Sequence, residues 1–214
     1  MPNGKKFTFS GESENIVGKI PGKDSTKSVV ISAHFDTWPT VAGVLDNTSG
    51  TAALMSLSKK LKEHYKDEQP PIDIVFVAFN GEEHQLSGSK AFYPMLDKDY
   101  KDFYNINLDC IGQKDRSLSY KIDDKNSQQL AKDIKQYLLK ENVKLNDSKY
   151  DEQGTSDHAI FWGYGRAAMI IGNDIEEDFV HTEKDNDALL DYEEIQKIVD
   201  GLNNFIIENN GKMY

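Results

Sequence analysis

Ile72-Asp-Ile-Val-Phe-Val-Ala-Phe-Asn-Gly-Glu-Glu-His84 decides how the chain is read. The run from Val75 to Phe79 is apolar without alternation, the pattern of a strand buried on both faces, as in a parallel sheet. Asn80-Gly81 ends it, and two acids follow at once, Glu82 and Glu83. Open α/β sheets bind their ligands just beyond the carboxyl ends of such strands. Adjacent carboxylates there repel unless a cation neutralises one of them. Read alone, the segment is equally well a solvated Asn-Gly turn that carries two glutamates. The choice rests on the other acids and histidines.

On either side, strand and helix patterns alternate. Asn15 to Pro21 reads as a short strand, Asp24 to Lys27 as a turn, and Ser28 to Phe35 as a second buried strand running into Asp36. Leu54, Leu57, Leu61 and Tyr65 recur at helical steps behind Asn47-Thr-Ser49, any of which could cap that helix. Ser87 to Leu96 is a short helix weakened by Gly88 and Pro94. Tyr104 to Ile111 alternates: Tyr104, Ile106, Leu108 and Cys110 share an apolar face, and Asn105, Asn107 and Asp109 share a polar one that suits the rim of a site. Leu118 to Ile122 and Lys144 to Tyr150 are further short strands. Leu130, Ile134, Tyr137 and Leu138 mark an amphipathic helix. Gly154 to Phe161 is a loop entering a helix capped by Ser156 or Asp157, and Ala167 to Ile171 is a last buried strand. Asp191-x-x-Glu194 is a capping box ahead of a helix with Ile195, Ile198, Leu202, Phe205 and Ile206 on one face. The expected fold is an α/β three-layer sandwich, a mostly parallel central sheet flanked by helices.

Its 214 residues suit a single domain, 1–214, with residues 1–14 as a loose arm. A net charge of −11 argues against nucleic-acid and anionic-membrane partners. The single cysteine, Cys110, excludes an internal disulfide and reads as core. No stretch approaches the roughly 20 apolar residues of a membrane span. Met1-Pro-Asn-Gly-Lys-Lys6 is polar and does not read as a signal peptide. The expected location is secreted or in the cell envelope, any leader being absent from this chain, with the cytoplasm as the alternative. Oligomeric state is not legible.

The polar residues at strand ends and helix starts form a set: His34, Asp36, Asp46, Glu82, Glu83, Asp109 and His181. Imidazole and carboxylate without thiolate suit zinc or a similar divalent ion. One carboxylate can bridge two metals about 3.5–4 Å apart, the geometry of two-metal hydrolases. Asp36, two residues from His34, shares its strand face and could hold the second ring nitrogen of that histidine; a turn residue is the alternative. His64, among Lys62, Glu63 and Lys66, reads as solvated, and His84 as structural or on the rim.

Six segments, in order, resemble the co-catalytic zinc peptidases of the M28 aminopeptidase family: His34-Phe-Asp36, Val44-Leu-Asp-Asn-Thr-Ser-Gly50, Asn80-Gly-Glu-Glu83, Asn107-Leu-Asp109, Ser156-Asp-His158 and His181-Thr182. The resemblance implies a zinc-dependent exopeptidase-like fold and two Zn2+ per chain. His34 and Asp109 would complete one zinc site and Glu83 and His181 the other, with Asp46 bridging and the Asp46–Asn47 peptide cis. Glu82 would be the general base acting on the metal-bridging water, and peptides the substrate. Asp157 would lie near the site.

The chain departs from the pattern in places. Relatives set a tyrosine near the metals; here the corresponding places hold Val180 and about Gln153, with Tyr150 and Tyr164 nearby in sequence. Gly165-Arg-Ala-Ala168 replaces Gly-Ile-Pro-Ala, and Arg166 reads as solvent-facing. Trp38, Phe161, Trp162 and Phe179 could line a specificity pocket or belong to the core. The leading expectation is a di-zinc aminopeptidase. The alternatives are a single-zinc glutaminyl-peptide cyclotransferase and a non-catalytic peptidase-like binding protein.

Overall fold

A computed structural model describes residues 12–122, 125–148, 155–174 and 180–214. Most of the arm expected over residues 1–14 lies outside the described residues. Among the described residues seven strands form one sheet: β1 (Ile16–Ile20), β2 (Asp24–His34), β3 (Ile72–Phe79), β4 (Asp102–Leu108), β5 (Leu118–Lys121), β6 (Asn146–Asp147) and β7 (Ala168–Asn173). Their spatial order is β1-β3-β2-β4-β7-β5-β6. The centre, β3-β2-β4-β7, is parallel; β1 on β3 and β5 on β7 are antiparallel.

Alternate residues of the central strands feed two separate cores, which is why β3 reads as continuously apolar. Val29, Ile31, Ile74, Phe76, Tyr104, Ile106 and Leu108 face one side. There they meet α1 (Gly50–His64), α3 (Lys125–Lys140) and α5 (Tyr192–Glu208) through Leu54, Leu57, Leu61, Leu130, Ile134, Ile198, Leu202 and Phe205. Val30, Val75, Val77, Phe79 and Phe103 face the other side. They pack on α2 (Ser87–Asp99) and α4 (His158–Gly163) through Phe92, Tyr93, Leu96 and Phe161. Each fully buried Leu, Ile or Phe contributes about 1.5–3 kcal/mol. Helices on both faces of one sheet give the three-layer sandwich expected from the sequence.

This topology creates the crevice. From β2 the chain passes through α1 to β3 on one side; from β3 it passes through α2 to β4 on the other. The two crossover helices lie on opposite faces, so a crevice opens beyond the carboxyl end of β2.

Three local expectations change. Asp24 to Lys27 is not a free turn but the start of β2, because the Asp24 carboxylate accepts the amide and hydroxyl of Thr26 while the chain already pairs with β3. Of the polar face of β4 only Asp109 reaches the cavity, and Asn105 and Asn107 are fully buried. Asn105 Nδ2 donates to Ser32 Oγ (2.9 Å), Ser32 Oγ to Asn107 Oδ1 (2.7 Å), and Asn107 Nδ2 to Ser156 Oγ (2.9 Å). Mutual pairing lets these groups leave water. Neither Ser156 nor Asp157 caps α4 with its side chain. Asp191, by contrast, accepts from Glu193 N and Glu194 N at the start of α5, while its own amide goes to Gly112 O rather than to Glu194.

Candidate metal centre

Each sequence-selected residue sits where an element ends. His34 is the last residue of β2, Glu82 and Glu83 follow β3, and Asp109 follows β4. Asp46 lies in the irregular turn Val44–Ser49 ahead of α1, and its peptide to Asn47 is cis. His181 lies in the loop after β7 with φ 60°.

Asn47 holds the turn in place. Its Nδ2 donates to Leu108 O (2.9 Å), and its Oδ1 accepts from Gly50 N (2.9 Å) and Cys110 N (3.2 Å). One side chain thus supplies the α1 cap and ties the Asp46 turn to the end of β4, beside Asp109. Gly50 is required by the same approach, since a Cβ there would lie 2.4 Å from Leu108 O.

Among the described residues two ligand groups result, and they share one residue: His34, Asp46 and Asp109 form the first, and Asp46, Glu83 and His181 the second. Asp46 turns a different oxygen to each. His34 Nε2 lies 3.2 Å from Asp46 Oδ1 and 3.3 Å from Asp109 Oδ1. His181 Nε2 lies 3.1 Å from Asp46 Oδ2 and 3.1 Å from Glu83 Oε2. Tetrahedral zinc ligands about 2.0–2.2 Å from the metal stand about 3.3–3.6 Å apart. The four separations come close to that spacing. Glu83 Oε1 is buried without a hydrogen-bond partner among the described residues. An oxygen of that kind fits a cation better than it fits an ion pair already satisfied. The donor set and its spacing therefore suit zinc.

The electrostatics agree. Burial disfavours charge on His34, but Asp109, with bonds to Asp36 and Asp46, outweighs it and holds the imidazole well above its usual range. Bonds to Asp46 and Glu83 push His181 up to about 10. Burial works to raise Asp46, yet the two imidazoles hold its carboxyl below the usual range. The carboxylates thus hold positive charge here, as protons on two histidines or as metal.

Glu82 belongs to neither group and lines the cavity beside them. Burial, then the charge of Asp109, pushes it up to about 9. Asp36 acts differently from the simple expectation. His34 Nδ1 donates to the backbone carbonyl of Asp36 at 3.0 Å, and the carboxylate is 3.6 Å away. That carboxylate accepts instead from Glu82 N (3.1 Å) and Glu83 N (3.2 Å). Asp36 therefore orients the histidine with its backbone and both glutamates with its side chain.

Asp185 escapes any reading of strand ends. It is 1% exposed and accepts from Leu45 N (2.6 Å) and Asp46 N (3.1 Å). Its position four residues after His181 was the only available signal. Asp157 and His158 are fully buried, and neither has a hydrogen bond from its side chain among the described residues. Burial raises Asp157 to about 7 and lowers His158 to about 3. Trp38 stacks on His181, centroids 4.8 Å apart, and lines the cavity. Phe161 is core, and Trp162 donates to Ala168 O. Arg166 is not solvated: it pairs with Asp97 and Asp102 and covers the Phe103 ring. Cys110 is buried and lines the cavity; His64 and His84 are exposed. Tyr164 is exposed and stacks on Tyr93, and Val180 lines the cavity. Tyr150, Gln153 and Phe179 lie outside the described residues.

Residues 15–206 match peptidase family M28, and the chain belongs to that family. It is similar to aminopeptidase YwaD of Bacillus subtilis, 30% identical over 208 residues, covering 92% of this chain and 44% of that protein. It is also similar to the vacuolar membrane protease of Candida glabrata, 29% identical over 181 residues, covering 82% of this chain and 18% of that protein. Among solved structures, BSAP, a zinc aminopeptidase from Bacillus subtilis, superposes with a TM-score of 0.76 at 24% identity, covering 92% of this chain and 50% of that one. The chain thus spans less than half the length of these two relatives. No helix among the described residues is long and apolar enough to cross a membrane.

Proposed function

We propose that the chain forms one catalytic domain of a zinc aminopeptidase that holds two metal ions and removes N-terminal residues from peptides. The observation that carries this is Asp46, which turns Oδ1 to His34 and Oδ2 to His181 and so belongs to both ligand groups. The aminopeptidase direction comes from the relatives named above.

His34, Asp46 and Asp109 would hold one zinc, and Asp46, Glu83 and His181 the second. When bound, the ions would acidify the attacking water and polarise the scissile carbonyl. Glu82 takes a proton from that water and delivers it to the leaving amine. Its place supports this: it is excluded from the ligand groups, faces the cavity and is buried enough to bind a proton firmly. Positive charge placed among Asp46, Glu83 and Asp109 would draw its pKa down toward a base's working range. Asp36 fixes the two glutamates through their amides, so one can ligate while the other moves protons.

The test combines zinc content after dialysis with hydrolysis of leucine- and alanine-p-nitroanilide, for wild type, Glu82→Gln and His181→Ala. The reading expects two zincs in wild type and in Glu82→Gln, with hydrolysis falling about 10²- to 10⁴-fold in the latter. His181→Ala should keep about one zinc, because the His34–Asp46–Asp109 group is untouched. Unchanged turnover in Glu82→Gln would remove the base. One zinc with cyclisation of an N-terminal glutaminyl peptide would make the protein a cyclotransferase, and no zinc with no turnover would leave a binding protein.

A further inference from the structure

The cavity lined by Asp46, Glu83, Asp109 and His181 has a volume of about 530 Å³ and extends well past them. Its far wall is built by the end of β7. Ile170 and Gly172, on one face of the strand, line it together with Asn173 and Asp174 at its end. Gly172 lies against Asp109, since a Cβ there would be 2.2 Å from Asp109 O. Asn173 N donates to Cys110 O (2.9 Å), and Asp174 N to Ser117 O (3.0 Å). The wall therefore runs from a candidate metal ligand to Asp174, which lies about 7 Å along from Gly172 at the strand repeat.

Asp174 is 9% exposed. Its Oδ1 accepts from Ser119 Oγ (2.7 Å) and from Ser148 Oγ (3.4 Å). Its Oδ2 is buried and has no hydrogen-bond partner among the described residues. Two hydroxyls thus orient a carboxylate whose second oxygen is unfilled. A buried, unpaired acceptor of this kind is costly unless something donates to it. Lys121 lines the same cavity and has a partner of its own.

We propose that Asp174 receives the cationic side chain of a substrate's N-terminal lysine or arginine. The inference rests on the aminopeptidase reading, which places that residue at the metal end of the cavity. A long methylene stem would lie along Ile170, and its charged head would donate to the Asp174 carboxylate at the cavity wall. A neutral aliphatic side chain would fill the same space and leave Oδ2 unpaired.

The test is equilibrium binding of L-lysinamide and L-norleucinamide, near-isosteres that share the α-ammonium, to zinc-treated Glu82→Gln protein by calorimetry. Lysinamide should bind about 10- to 100-fold more tightly, the range of one hydrogen bond to a charged group. Adding Asp174→Asn should bring the ratio close to one. A ratio near one with Asp174 intact overturns the proposal, and this arm stands even if Asp174→Asn does not fold. A ratio unchanged by Asp174→Asn also overturns it. So does equal weakening of both amides, which would put the α-ammonium on Asp174. Failure of the aminopeptidase reading shows separately, as absent p-nitroanilide hydrolysis by wild type.

Discussion

Asp185 holds Asp46 by its backbone: the buried carboxylate takes the Asp46 amide at 3.1 Å and the neighbouring Leu45 amide at 2.6 Å. These bonds join the loop that carries His181 to the turn that carries the shared acid. The second ligand group therefore depends on a residue that touches none of its ligand atoms. Groups that orient ligands cost about 10- to 100-fold in metal affinity when lost. Asp185→Ala should weaken zinc binding by that order, read by competition against a chelating dye. It should also cost about 1–3 kcal/mol in a urea melt, because two buried amides lose their acceptor. Asp185→Asn, which keeps an acceptor oxygen, should lie between. Wild-type affinity in Asp185→Ala would remove this support role.

Much of this centre was readable in the sequence, for a physical reason. His34 ends a strand, and Glu82, Glu83 and Asp109 follow strands, whose apolar pattern is local, so position and residue type together point to the crevice. What was not readable depends on contacts far apart in the chain. Asp185 meets the Asp46 turn across 139 residues. The asparagines of β4 looked like a rim because alternation shows that a face is polar, not what covers it; Ser32 and Ser156 cover it here. Arg166 looked solvated until α2 supplied Asp97 and β4 supplied Asp102.

Asp157 and His158 predict opposite effects of pH on stability, measured by denaturant melts with zinc removed. His158 is held at about 3 against an ordinary 6.5. The unfolded chain therefore binds the extra proton, and stability is lost as pH falls from about 6.5 toward 3. His158→Gln should flatten the wild-type profile there by up to one proton, about 1.4 kcal/mol per pH unit. Asp157 is raised to about 7 against an ordinary 3.8, so the folded chain binds the extra proton. Its contribution is present at low pH and is lost as pH rises from about 4 to 7. Asp157→Asn should make stability climb more steeply with pH in that window. Profiles parallel to wild type in both variants would show that neither group is buried in the form described.

The stack of Trp38 on His181 supplies an optical report on metal binding. The chain has two tryptophans. Trp38 lies 4.8 Å from the His181 ring at 22° between planes. Trp162 instead donates to Ala168 O and meets the edge of His158. Without metal, bonds to Asp46 and Glu83 keep His181 protonated at neutral pH, up to about 10, and an imidazolium in contact with indole quenches its fluorescence. Zinc binding requires the neutral ring and releases that proton. Titration with zinc at pH 7 should therefore raise tryptophan emission, with proton release in a weakly buffered solution. Trp38→Phe should abolish the emission change while keeping the proton release; His181→Ala should abolish the change tied to that ligand group. A zinc-dependent emission change that survives Trp38→Phe would assign the signal to Trp162 and detach it from His181.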